Sequence, residues 1–253
     1  MSMVISITNR KGGTGKTTTS VNLSAEYSVN GRQVLLIDLD TQGHSGIGLG
    51  VIPDRKASTI HHVFVDSSFD INQAIYETKW KGLYIMPADR RFEHGRGKDD
   101  YNILKTALKR DGILERFDLI VIDTPPSLDN LLLNALCASD IVIAPFLPHY
   151  LSAEGVMHLS RVFYQVASRY NPKLRLAGLL PVMFNHRVQQ HKKVAERLSQ
   201  HFGKKRILSG IRADIKLVEA FENKSPVRFY EPMSRGAIDY AIVAEEIENL
   251  INL

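Results

Sequence analysis

Residues 10–19 read Arg-Lys-Gly-Gly-Thr-Gly-Lys-Thr-Thr-Thr, a pattern that binds phosphate in many proteins. Its three glycines let the backbone curl around a phosphate so that the N–H groups point inward as donors. Lys16 would reach the β- and γ-phosphates of a nucleotide, and the Thr17 hydroxyl would ligate Mg²⁺. A glycine-rich turn without chemistry is the alternative reading, but the flanking segments favour a nucleotide-binding loop.

Those flanks are a strand before the loop and a helix after it. Residues 3–7 form a short apolar run typical of a buried parallel strand, and residues 17–29 have helical apolar spacing. The first-glycine position of the usual pattern is occupied by Lys11, although glycine is normally needed there for a tight turn. A long cation at that position indicates that its charge has a function.

Acidic residues end two of the predicted strands. Asp38 follows the apolar run 34–37, and Asp123 follows 119–122. Ligands of doubly wound sheets bind at the carboxyl ends of the strands, so both carboxylates are candidates for holding Mg²⁺. Asp40, two residues after Asp38, is a candidate for orienting the attacking water. Each of the three carboxylates has an alternative role as a helix cap.

The elements that must position these residues alternate along the chain. Strands are predicted at 3–7, 34–37, 83–86, 119–123, 141–144, 176–182 and 206–208, and helices at 17–29, 58–79, 101–115, 128–138, 153–169, 188–202, 214–222 and from 237 onward. Residues 89–98 are predicted to be a mobile loop. The alternation favours an α/β fold, a doubly wound, mostly parallel sheet with helices on both faces, as in P-loop NTPases, formed by a single domain over 1–253.

Composition describes an ordinary globular protein. Of 253 residues, 44% are hydrophobic and 23% are charged, with no apolar run of membrane-spanning length and no signal-peptide pattern. These features favour a cytoplasmic location. Cys137 is the one cysteine, which excludes an internal disulfide and a cysteine-only metal or iron–sulfur cage, and its apolar neighbours predict a core position.

Positive charge is concentrated between residues 187 and 216, which contain nine lysines and arginines and two acids. Residues 237–253 contain four acids and no base. A solvated helix face explains a charge run of this kind in many proteins. Together with a nucleotide loop, however, the imbalance favours one basic surface that binds a polyanion.

Four segments together resemble the ParA group of the ParA/MinD ATPases. They are Lys-Gly-Gly-Thr-Gly-Lys-Thr-Thr-Thr, Ile-Asp-Leu-Asp-Thr-Gln-Gly-His, Ile-Asp-Thr-Pro-Pro-Ser-Leu and Glu-Pro-Met-Ser-Arg-Gly-Ala, and the stretch from Arg212 to Ala220 is also similar. The resemblance extends from about residue 3 to residue 250. Thr41, His44 and Ile211 depart from the usual residues of the group, and the last of these puts the adenine pocket in doubt.

The resemblance implies an ATP-dependent homodimer in which each Lys11 crosses to the partner's nucleotide. It implies catalytic roles for Lys11, Lys16 and Asp40, and Mg²⁺ ligation by Thr17, Asp38 and Asp123. The implied nucleotide-binding residues are Lys11, Gly12, Gly13, Thr14, Gly15, Lys16, Thr17, Thr18 and Asn185. The implied DNA-binding residues are Arg187, Lys192, Lys193, Arg212, Lys216 and Arg235.

The resemblance further implies a partner-stimulated ATPase that binds DNA without sequence preference and positions a plasmid, a chromosome origin or a protein organelle such as a carboxysome over the nucleoid. The stimulating partner would be a ParB-like or cargo-adaptor protein. A MinD-like membrane-associated regulator is an alternative, but the acidic end of the chain does not fit a basic amphipathic anchor. A metabolic ATP-dependent enzyme is another, although such an enzyme would not need Lys11.

Overall fold

The computed structural model describes residues 2–93 and 100–251. The described residues form one sheet of eight strands in the order β3-β4-β2-β5-β1-β6-β7-β8. Every neighbouring pair is parallel except β3 and β4, which are antiparallel. The strands are β1 (Met3–Ile7), β2 (Val34–Asp38), β3 (Tyr76–Glu77), β4 (Leu83–Met86), β5 (Leu119–Asp123), β6 (Ile141–Phe146), β7 (Arg175–Phe184) and β8 (Ile211–Arg212). The predicted fold class is confirmed.

Eleven α-helices of the described residues connect and cover these strands. They are α1 (Lys16–Val29), α2 (His44–Gly48), α3 (His62–Val65), α4 (Ile103–Arg110), α5 (Ile113–Arg116), α6 (Asn130–Ala138), α7 (Tyr150–Arg169), α8 (Gln189–Phe202), α9 (Ile215–Glu222), α10 (Val227–Tyr230) and α11 (Arg235–Ile251). No helix among the described residues is long and apolar enough to cross a membrane.

The central strands are buried on both faces because helices cover each side of the sheet. One core contains Ile5, Leu36 and Val121 with residues of α1 and α11. The other contains Leu35 and Ile120 with residues of α4 and the 60–74 segment. This two-sided burial explains why the strands read as continuous apolar runs.

The helix predicted over 58–79 is wrong. Only α3 and a 3₁₀ turn at Ile71–Ala74 are helical there, and the segment ends in β3. Its apolar side chains Ile60, Phe64 and Ile71 are buried as the pattern required. The Asp70 side chain caps the 3₁₀ turn by accepting the Asn72 N–H, so a local polar contact starts a new turn where a helix would have continued.

Two other elements differ from prediction. The helix predicted over 101–115 is divided at Gly112, whose φ of +71° is left-handed. The strand predicted at 206–208 is replaced by a 3₁₀ turn at Lys204–Arg206 and a single bridge at Ile207, and the eighth strand comes later, at Ile211–Arg212. The predicted loop over 89–98 lies outside the described residues from residue 94 onward.

Candidate functional site

The phosphate loop lies between β1 and α1, at the carboxyl edge of the sheet. Gly13 and Gly15 have φ of +72° and +78°, a conformation that L side chains rarely adopt. A Cβ added at Gly12 or Gly13 would meet no atom within 4 Å, so one side of the loop is open. A phosphate can approach the backbone closely on that side.

Asn9 holds this loop in shape, and sequence reasoning missed it. Its amide donates to the Pro145 carbonyl at 2.7 Å, and its side-chain oxygen accepts the Lys11 N–H at 3.0 Å. The Thr14 hydroxyl donates to the Lys11 carbonyl at 3.1 Å. Asn9 is fully buried, so it ties the loop to the neighbouring strand β6. Its place directly before the loop was the one available signal.

Lys16 begins α1 and is only 7% exposed. Burial lowers the pKa of its ammonium, while Asp123 and Asp40 act in the opposite direction and favour the charged form. A buried cation facing carboxylates at the mouth of a glycine loop is arranged to receive a polyanion.

Asp38 and Asp123 lie opposite each other in the β2–β5 register and are both fully buried. Asp38 accepts the N–H groups of Ser45 at 3.0 Å and Gly46 at 3.3 Å. Asp123 accepts the hydroxyl groups of Ser45 at 2.8 Å and Ser20 at 3.2 Å. Ser45 therefore connects the two carboxylates, a role that the sequence did not predict.

Burial raises the pKa of both carboxyl groups. The pKa of Asp123 rises to about 6, although hydrogen bonds from Thr17 and Ser45 counteract the increase. The pKa of Asp38 is raised well above its ordinary value by burial and then by the charge of Asp123. Two neighbouring buried carboxylates are unfavourable without a cation, so the site is suited to one.

The oxygen atoms present fit Mg²⁺. They belong to Asp38, Asp123 and the Thr17 hydroxyl, which hydrogen-bonds Asp123. Within the part of the chain that the structure describes, no cluster of three or more His, Cys, Asp or Glu side chains could form a complete metal cage. Mg²⁺ typically takes few protein ligands and completes its shell with water and substrate phosphates, which agrees with such a partial set.

Asp40 lies in a tight turn after β2. Its N–H donates to Asp38 at 3.2 Å, its carboxylate accepts the Gln42 N–H at 3.0 Å, and its carbonyl accepts the Gly43 N–H at 2.8 Å. Its charge acts on both Lys16 and Asp123. The structure therefore brings Asp40 together with the predicted phosphate and metal residues.

Lys11 has a fixed backbone and a partly exposed side chain. Over residues 2–93 and 100–251, no carboxylate forms a salt bridge with its ammonium. Thr18 follows on α1 and is partly buried. Asn185 is exposed just after β7, where its side chain accepts the Arg187 N–H at 2.9 Å.

The six predicted DNA-binding residues lie at or after the carboxyl ends of β7 and β8, or in the first turns of helices near that edge. Arg187, Lys192, Lys193 and Arg235 are exposed. Arg212 instead forms a two-pronged ion pair with Asp239 of α11, with atoms as close as 2.7 Å. Lys216 pairs with Glu219 at 2.7 Å.

The nine bases of the 187–216 segment do not form one surface, contrary to prediction. Helix α8 is about 21 Å long at the usual rise per residue, so its two ends are far apart. Lys204, Lys205 and Arg206 follow its far end, and Arg206 donates to the Leu176 carbonyl near the start of β7. The prediction grouped these charges because they are close along the chain, and sequence spacing does not show that α8 separates them in space.

Comparison with known proteins decides the family. A family model described as an AAA domain matches residues 2–176. The sporulation initiation inhibitor protein Soj of Bacillus subtilis is 35% identical over 250 residues, covering 98% of this chain and 98% of Soj. The chromosome partitioning protein ParA of Caulobacter vibrioides is 32% identical over 249 residues, covering 96% of this chain and 93% of that protein. The chain belongs to the ParA-type partition ATPases.

Solved structures agree with this assignment. The septum site-determining protein MinD of Pyrococcus horikoshii, complexed with Mg-ADP, has a TM-score of 0.82 and 27% identity, covering 99% of this chain and 98% of MinD. The chain is thus an ATPase, and it belongs to a family of positioning ATPases.

Proposed function

We propose that this ParA-type ATPase is an ATP-driven homodimeric switch that binds DNA without sequence preference and positions or segregates a cargo. The proposal rests on Lys11, which is partly exposed at the open side of the phosphate loop and forms no salt bridge with any carboxylate of residues 2–93 and 100–251. Its backbone is held by Asn9 and Thr14, so the loop fixes the point from which the Lys11 side chain extends.

ATP is the substrate and Mg²⁺ the cofactor. The loop glycines supply N–H donors, and Lys16 contacts the terminal phosphates. Thr17, Asp38 and Asp123 hold the metal, which neutralises charge on the phosphates when it is bound. The support is the fit of these oxygen atoms to Mg²⁺ and the MinD relative that binds Mg-ADP.

Asp40 orients the water that attacks the terminal phosphate. It is ionisable, partly exposed and close enough to Lys16 and Asp123 to influence both charges. Its turn is fixed by the Gln42 and Gly43 N–H groups, so its carboxylate is held in one place. Positioning and electrostatics supply most of the catalysis in phosphoryl transfer, so such an arrangement suffices for slow hydrolysis that a partner accelerates.

Dimerisation makes DNA binding depend on the nucleotide state. Lys11 contacts the partner's nucleotide, and pairing places two copies of the Arg187, Lys192 and Lys193 surface in one particle. Affinity for DNA rises steeply with the number of phosphates neutralised, so a dimer binds where a monomer does not. The nucleoid is then the DNA to which the dimer binds. A ParB-like or cargo-adaptor protein stimulates ATP hydrolysis and so releases the dimer from that DNA.

The deciding experiment measures molar mass by light scattering with Mg-ATP in an Asp40→Ala background that preserves ATP. We expect the background protein to be dimeric and the added Lys11→Ala substitution to leave it monomeric while it still binds nucleotide. Lys16→Ala should lose nucleotide binding itself, which separates the two lysines.

Arg10→Ala is the matched control because Arg10 is the exposed cation directly before Lys11. It should dimerise like the background protein. Dimers of undiminished stability in the Lys11→Ala protein would refute the trans contact.

A further inference from the structure

The loop that follows β4 is held against the site on both sides of Arg90. The Asp89 N–H donates to the His61 ring at 2.9 Å, and the other ring nitrogen of His61 contacts the Leu39 carbonyl at 3.3 Å. Arg91 pairs with Asp89 at 3.1 Å and donates to the Arg55 carbonyl at 2.8 Å. Arg90 therefore has a fixed backbone position beside the end of β2.

The side chain of Arg90 lies flat on Gly43. A Cβ added to Gly43 would stand 2.9 Å from the Arg90 Cγ and 3.2 Å from its Cδ, so the aliphatic stem is in contact with the glycine backbone. Gly43 has a φ of +66° and is the residue that begins α2. Only a residue without a side chain leaves room for this contact.

Gly43 joins Asp40 to the carboxylate pair. On one side its N–H donates to the Asp40 carbonyl and closes the turn. On the other side it precedes Ser45 and Gly46, whose N–H groups donate to Asp38. A shift of the backbone at Gly43 therefore moves Asp40 relative to the metal and phosphate residues.

We propose that Arg90 is a positioning residue for ATP hydrolysis, with its stem holding residues 40–43 in the turn that presents Asp40. The inference rests on the proposed role of Asp40. The methylene groups of Arg90, which make the contact with Gly43, hold the turn in place, and the exposed guanidinium is not needed for this role. Nucleotide binding depends on the loop at 10–17, which Arg90 is not seen to contact, so binding and hydrolysis are expected to respond differently.

The test compares Arg90→Ala with Arg90→Met, which keeps the stem and loses the charge. We expect kcat for ATP hydrolysis, with and without duplex DNA, to fall about tenfold in the alanine variant, because small displacements of catalytic groups are costly. KM and the affinity for a fluorescent ATP analogue should stay within about twofold. The methionine variant should recover most of the lost kcat.

Lys109→Ala is the matched control, since Lys109 is an exposed cation on α4. It should behave as the unmodified chain. An alanine variant with normal kcat, or a methionine variant as slow as alanine, overturns the inference. Equal loss of nucleotide affinity and kcat in the alanine variant also overturns it, because that result indicates general damage. If the unmodified chain fails to hydrolyse ATP, the proposed function fails instead.

Discussion

The phosphate loop depends on a buried side chain that lies outside the motif. Asn9 bonds the Pro145 carbonyl and the Lys11 N–H, so it fixes the loop that Gly13 and Gly15 make flexible. Flexible glycines give a phosphate access to the backbone, and a rigid support restores a single conformation. The two requirements are met by different residues.

We predict that Asn9→Ala weakens ADP binding about tenfold, or about 1.4 kcal/mol, because the buried Pro145 carbonyl and the part-buried Lys11 N–H lose their partner. Isothermal titration with Mg-ADP measures this loss. Asn9→Asp is the informative comparison, since it keeps the acceptor for Lys11 but loses the donor and adds a negative charge near the phosphates. Its affinity should fall further than that of the alanine variant. Unchanged ADP affinity in Asn9→Ala would show that the loop holds its shape alone.

At the residue scale, the sequence predicted the groups that are defined by a motif or by a strand end. Asp38 and Asp123 are brought together because the parallel register places the ends of β2 and β5 side by side. Lys16 joins them because β1, which leads into its loop, pairs with the other side of β5. Asn9 and Ser45 were missed because their roles depend on contacts with Pro145 and Asp123, which are distant along the chain. Spacing alone carries no information about such contacts.

At the element scale, an ion pair joins the phosphate-loop helix α1 to α10. Glu26 is only 3% exposed and accepts two-pronged bonds from Arg228, with atoms as close as 2.6 Å. Burial raises the pKa of Glu26 more than Arg228 lowers it. The folded-state pKa therefore lies above the unfolded value, and the contribution of this group to stability falls as pH rises through the folded pKa.

We predict that Arg228→Ala lowers the free energy of unfolding by about 2–3 kcal/mol at pH 7, because a buried carboxylate is left without its partner. The loss should shrink as pH falls toward about 5, since Glu26 then takes up a proton whose binding is favoured further without the arginine. Urea unfolding at pH 7 and at about pH 5 measures the loss in free energy of unfolding. The double variant Glu26→Gln with Arg228→Ala should remove most of the pH dependence; a deficit that is equal at both pH values would contradict this account.

The elements themselves were predictable where the apolar period was long and unbroken. Strands β1, β2 and β5 and helix α8 lie within one or two residues of the prediction. The 58–79 segment was not, because its buried side chains fit a helical period while polar contacts at Asp70 and the pairing of β3 decide the backbone. That irregular path is also what brings His61 to the Asp89–Arg91 loop.

At the scale of the whole molecule, Cys137 reports on opening of the fold. It is buried in a core shared by α6, β6 and α7, and burial raises the pKa of its thiol to about 11. At pH 8 roughly one thiol in a thousand would be ionised. Because Cys137 is the chain's only cysteine, any labelling is unambiguous.

We predict that the native chain reacts with a chromogenic disulfide reagent only through unfolding, so the rate rises with urea in step with loss of structure. Bound Mg-ATP should slow the reaction further, since a ligand of the native state suppresses opening. A Cys137→Ala variant gives the blank. Stoichiometric labelling within seconds in native buffer would mean that α6 and α7 separate without unfolding.

The distribution of charge over the two edges of the sheet gives the sharpest test of DNA binding. Arg212 is a poor probe, because its removal takes away the guanidinium bonds to Asp239 and so loosens α11 as well as removing a charge. Lys192 and Lys193 are exposed at the start of α8, whereas Lys204 and Lys205 are exposed beyond its other end. Two double substitutions therefore change the net charge equally at opposite edges.

We predict that Lys192→Glu with Lys193→Glu weakens binding of the ATP-bound Asp40→Ala dimer to a short duplex. The slope of log affinity against log salt, which is negative, should become shallower by about 3–4. Two copies of each lysine give about four phosphate contacts, each contributing about 0.9 to the slope. Lys204→Glu with Lys205→Glu should leave the slope nearly unchanged, because those lysines follow the far end of α8, away from the carboxyl edge. Fluorescence anisotropy over a salt series measures both. Equal losses in the two double variants would mean that net charge, and not a surface at that edge, attracts the DNA.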